Sequence, residues 1–156
     1  MNLTNVSGGN SQLRRETDRK VPQRARVSPR VFIEQVSRRT ADVSGRWLVT
    51  WRIENLGQQP LLILAARLPH DRLRSEEREL VPTVRLSVGE SAHVELPVEC
   101  REPPGTVVEN AFIILRALSL EEPWRVFARL RVAFDDEGGP QSTTEVVTAH
   151  PTTTSA

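Results

Sequence analysis

The sequence predicts an all-β fold, a seven-stranded antiparallel immunoglobulin-like β-sandwich with disordered N- and C-terminal tails, with a small barrel as the alternative architecture. Three observations carry this prediction. Seven alternating or short apolar segments follow one another between Arg30 and Phe134, at about ten-residue spacing. Gly, Pro, Asn, Asp and Ser separate them at positions suited to turns. No segment repeats its apolar residues with a convincing helical period.

The first strand, Arg30 to Arg39, sets Val31 and Ile33 on one face and Phe32, Glu34 and Val36 on the other. Ala41 to Gly45 turns the chain. The second strand then places Trp47, Val49, Trp51 and Ile53 inward and Arg46, Thr50, Arg52 and Glu54 outward, as a half-buried strand requires. Asn55-Leu56-Gly57 has residues tolerant of positive φ, and Pro60 opens the next segment. Leu61 to Leu68 is apolar on both faces, which predicts a central strand covered on both sides or by a partner.

Pro69 to Arg78 reads as a charged loop, within which Ser75 to Leu80 is too short to stand as a helix. Glu79 to Val88 follows, and Pro82 makes it an edge strand. After Gly89-Glu90, Ala92, Val94, Leu96 and Val98 alternate inward along the fifth strand. Cys100 to Gly105 is a proline-bearing loop. Val107 to Leu118 is a second two-sided apolar run, and Glu121-Glu122 reads as a hairpin tip. Trp124 to Phe134 closes the domain: Trp124, Val126, Ala128, Leu130, Val132 and Phe134 face in, Arg125, Phe127, Arg129 and Arg131 face out.

The domain therefore spans 27–135. Residues 1–26 form a basic segment and 136–156 a Thr/Ser-rich tail, both too poor in large apolar side chains to offset their ordering entropy. Of the 21 basic residues only Lys20 is lysine. That bias fits either GC-rich codon usage or planar, bidentate recognition of carboxylates and phosphates. A net charge of +1 supplies no global field for nucleic acid or membrane. Neither a signal-type apolar segment nor a membrane-length apolar run occurs, and the single Cys100 cannot form an intramolecular disulfide. These features predict a cytoplasmic location.

The runs WLVTWRIENLGQQPLLIL and LSVGESAHVELPV carry two recognisable turns, Asn55-Leu56-Gly57 ahead of Pro60 and Leu86-Ser87-Val88-Gly89-Glu90-Ser91. In this the chain resembles bacterial immunoglobulin-like modules of the CARDB and fibronectin-III-like kind. There, a strand ends in Asn-x-Gly, the next begins beside Pro, and a later strand follows a Leu-x-x-Gly-Glu-Ser turn. The resemblance covers roughly residues 30 to 134 and implies a binding or spacer module without catalytic residues. Those modules usually occur as repeats in secreted or surface proteins, whereas a single copy stands here.

No catalytic constellation is legible. His70, His93 and His150 fall in three unrelated places, and Cys100 sits out of phase with His93 on one strand. Asp135-Asp136-Glu137-Gly138 lacks the spacing of a calcium loop. The sequence thus predicts a non-enzymatic chain without cofactor or metal, binding a protein partner through Arg125, Phe127, Arg129 and Arg131. Side-by-side pairing of the two apolar runs would add an exposed apolar patch. The alternative is a nucleic-acid-associated role for the basic N-terminal segment, Arg14 to Arg30.

Overall fold

The computed structural model describes residues 27–152. They form β1 (Val31–Thr40), β2 (Arg46–Asn55), β3 (Leu61–His70), β4 (Leu73–Leu86), β5 (Ser91–Glu99), β6 (Val107–Ser119), β7 (Glu122–Phe134) and β8 (Pro140–Pro151). All eight belong to one sheet, ordered β1-β2-β5-β4-β3-β6-β7-β8, and every adjacent pair is antiparallel. The sheet curls until β1 and β8 meet, giving a nearly closed barrel. Among the described residues, no helix is long and apolar enough to cross a membrane.

The predicted seven-stranded sandwich is thereby corrected in both strand count and closure. The eighth strand lies where the sequence predicts a tail. Residues 143–148 are Thr-Thr-Glu-Val-Val-Thr, rich in β-branched side chains, and they gain stability by pairing along the whole of β7 from Trp124 to Phe134. Residues 1–26, predicted to be disordered, lie outside the described residues, as do 153–156. The predicted Pro69–Arg78 loop is also corrected. β3 runs on to His70, Asp71 and Arg72 form the tip, and β4 returns from Leu73.

Alternation fills the barrel as the sequence reading requires. Trp47, Val49, Trp51 and Ile53 of β2 share one core with Val94, Leu96 and Val98 of β5 and with Val126, Ala128, Leu130 and Val132 of β7. Trp124 is buried as well but stands outside that cluster. Pro82 is accommodated by a bulge. Ile63 pairs with Val84 and Ala65 with Glu79, so Leu80 to Thr83 leave the ladder opposite Leu64, and Val81 is 89% exposed.

Two turns interlock beneath one end of the barrel. The Asn55 amide donates to Gln59 O (2.8 Å) and Leu86 O (3.1 Å), while its Oδ1 accepts from Gly57 N. Asn55 N donates to Glu90 O and Gly89 N to Asn55 O, both at 2.9 Å. The Asn-Leu-Gly and Gly-Glu-Ser motifs thus meet in space, joined through a buried Asn whose polar atoms are bonded. Gly57 suits the close approach here: a Cβ would lie 3.2 Å from Arg30 N, a tight contact.

The seam between β1 and β8 has a different chemistry from the ladders. Gln35 Nε2 donates to Pro140 O (2.8 Å), and its Oε1 accepts from Ser142 N (2.9 Å). Thr144 Oγ1 donates to Ile33 O at 2.6 Å. Arg38 pairs with Asp135 at the end of the seam and stacks over Trp47, 4.9 Å from the ring centroid. Side chains here do the work that backbone groups do elsewhere.

Candidate functional site

β7 lies between β6 and β8 and hydrogen-bonds to both, so its backbone is fully engaged and only its side chains are offered outward. Its buried phase holds the core, and its outward phase carries Arg125, Phe127, Arg129 and Arg131, as the sequence predicts. The four do not share one environment. Arg129 is paired with Glu145 of β8 (3.3 Å) and Arg131 with Glu109 of β6 (3.0 Å). Glu109 reaches Arg131 from a bulge between Val108 and Ala111, where Asn110 has a φ of 58°.

Arg125 differs. Its cross-strand neighbours are Arg116 and His150, and among the described residues no carboxylate pairs with it. Arg116 is already neutralised by Glu77 (3.5 Å) and Glu79. The guanidinium of Arg125 therefore stands as a local positive charge on a nearly neutral protein.

Beside it lies an aromatic cluster. Phe127 meets Phe112 edge to face, centroids 6.4 Å apart at 84°, and His150 at 5.5 Å and 75°. Phe112, Arg125, Phe127, Thr148, His150, Pro151 and Thr152 line an open groove of about 730 Å³. The groove thus joins a cation without a carboxylate partner among the described residues to half-buried aromatic rings. Three of the seven lining residues, Thr148, His150 and Pro151, come from β8, which the sequence reading does not predict; the Gly138-Gly139-Pro140 turn followed by the β-branched Thr143, Thr144, Val146, Val147 and Thr148 is the available signal.

The two apolar runs do pair side by side, Leu62 with Leu118 and Arg67 with Ile114. Their outward residues Leu62, Leu64, Phe112, Ile114 and Leu118 are half-buried. Arg67 and Arg116 stand on the same strands, bridged by Glu77. Of the outward apolar residues, Phe112 also lines the groove.

The remaining candidates are dispersed. His70 sits at the β3–β4 tip, where its Nδ1 accepts from Arg72 N, and His93 lies on β5 opposite Arg52. Cys100 is buried, and burial, reinforced by the nearby Glu102 charge, pushes its thiol up to about 11. Asp135 accepts from Glu137 N, Gly139 N and the Gln141 amide besides Arg38. Burial works to raise it, but these donors prevail and hold it at about 2. Its oxygens are committed to the turn. The N-terminal basic residues Arg14, Arg15, Arg19, Lys20, Arg24 and Arg26 lie outside the described residues.

No family model matches the chain, and no curated protein matches it. Among solved structures it is similar to the X-ray structure of Northeast Structural Genomics Consortium target SoR45. That likeness has 14% identity and a TM-score of 0.21, over 83% of this chain and 90% of the other.

Proposed function

We propose that this protein is a non-catalytic interaction module that holds a protein partner against the outer face of β6, β7 and β8. The observation that carries the reading is the groove in which Arg125, without an ion pair among the described residues, adjoins the Phe127 ring. Arginine and aromatic side chains dominate the energetics of protein interfaces, and here Arg125 is exposed while Phe127 is half-buried between Phe112 and His150. Among the described residues, the dispersed histidines and the buried Cys100 supply no nucleophile–base pair, which favours binding over catalysis.

The test compares cross-linked capture from native lysate by the full chain and by an Arg125→Glu, Phe127→Ser variant. Both positions are on the outer face, so the variant should retain the wild-type far-UV spectrum and unfolding midpoint. A protein held by the wild type and lost by the folded variant supports the reading. Identical partners on both would remove the groove as the interaction surface.

A further inference from the structure

The groove also specifies the chemistry of what it holds. We infer that its occupant is an extended protein segment carrying an acidic side chain two residues away from a bulky apolar one. This rests on the interaction-module reading and adds to it the identity of the recognised groups.

The spacing comes from the strand. Arg125 and Phe127 are i and i+2 on β7, so their side chains leave the same face about 7 Å apart. An extended segment lying along β7 repeats that interval between its own alternate residues. One of its side chains then meets the guanidinium while the next on that face meets the Phe127 and Phe112 rings.

The charge comes from the census of partners. Arg67, Arg116, Arg129 and Arg131 on this face each hold a carboxylate of the chain itself. Arg125 holds none among the described residues, and Arg116 and His150 flank it, so the complementary group must be brought by the partner and must be anionic. A guanidinium binds a carboxylate in a planar, two-bond arrangement that an amide cannot match.

A side-chain carboxylate fits better than a chain terminus. Terminal carboxylates are captured by clusters of free backbone N–H groups. β7 has none to offer, because its register with β6 and β8 engages both edges through the groove. What the site presents is one fork of donors and an aromatic edge.

The probes are three peptides titrated into the ¹⁵N-labelled full chain: acetyl-Glu-Thr-Phe-amide, acetyl-Gln-Thr-Phe-amide, and acetyl-Ala-Thr-Phe with a free C-terminal carboxylate. The first should shift the amides of Arg125, Phe127, Thr148 and His150 with a Kd in about the millimolar range. The Gln peptide should bind about threefold or more weakly, the size expected for one solvent-exposed ion pair. An Arg125→Gln chain should lose the distinction between the two. Equal binding of Glu and Gln peptides would overturn the anionic assignment, and tighter binding of the free-carboxylate peptide would overturn the side-chain source. Absence of shifts at these residues would overturn the motif altogether. If the captured partner still depends on Arg125 and Phe127, that failure belongs to the motif and leaves the interaction face intact.

Discussion

At the scale of single residues, the molecule separates groups that serve the fold from groups that are spare. Asp135 belongs to the first kind. Its carboxylate is held at about 2 because Arg38, Gln141 and two backbone N–H groups outweigh the cost of burial. A carboxylate depressed in the folded state stabilises the protein above its unfolded value, near 3.9, and that contribution disappears as pH falls through the folded value. Asp135→Asn should therefore lower stability at pH 7 by on the order of 1 kcal/mol, screening of this quarter-exposed group included. The gap between wild type and variant should close between about pH 4 and pH 2. Urea midpoints measured across that range check it, and a gap that stays constant would disprove the linkage. The sequence shows in Asp135 to Gly138 only a carboxylate run without calcium-loop spacing; the partner Arg38 lies 97 positions away, beyond the reach of local pattern. Arg125 is the opposite case. Its outward phase was legible from alternation alone, but that Arg129 and Arg131 are neutralised and Arg125 is not depends on β6 and β8 delivering Glu109 and Glu145.

Among elements, the β6–β7 hairpin shows how far local sequence can be overridden. Ser119 pairs with Glu122, and the two residues between them, Leu120 and Glu121, have φ of 51° and 64°. Positive φ at both central positions is the geometry preferred by Asn-Gly, not by Leu-Glu. The sequence placed the tip one residue late, at Glu121-Glu122, for want of those residues. Length and mutual pairing of the two strands impose the turn, at an unfavourable cost to the side chains at its tip. Replacing Leu120 with Asn and Glu121 with Gly should raise stability by about 1–2 kcal/mol. Thermal unfolding of the double variant measures this, and an unchanged or lowered midpoint would contradict it. The inner faces of β2, β5 and β7 needed no such correction, since period-2 alternation reports which side of a strand is buried. It does not report which strands are neighbours. The order β1-β2-β5-β4-β3 was beyond its reach, and so was the single Arg74–Glu99 pair that links β4 to β5.

For the whole molecule, closure depends on a short row of side chains. The Gln35 amide occupies the place of a peptide group, accepting from Ser142 and donating to Pro140. Gln35→Leu keeps the approximate bulk while removing both bonds, and should cost about 1–3 kcal/mol. Hydrogen exchange at the Ser142 amide should accelerate while the β6–β7 ladder stays protected; an unaltered Ser142 amide would show that the seam does not depend on Gln35. A sandwich and a barrel share the same alternation, and only such long-range seam contacts decide between them. The seam also governs where the chain enters and leaves. Ser28, Pro29 and Arg30, at the start of β1, line one cavity with Val147, Thr148 and Ala149, near the end of β8. Entry and exit are thus side by side, the arrangement of a cassette that can be spliced into a host loop at a single point without prying that host apart. By the same geometry, a short linker joining 152 to 28, with new ends cut at Asp71-Arg72, would convert the barrel into a circular permutant that keeps every strand neighbour.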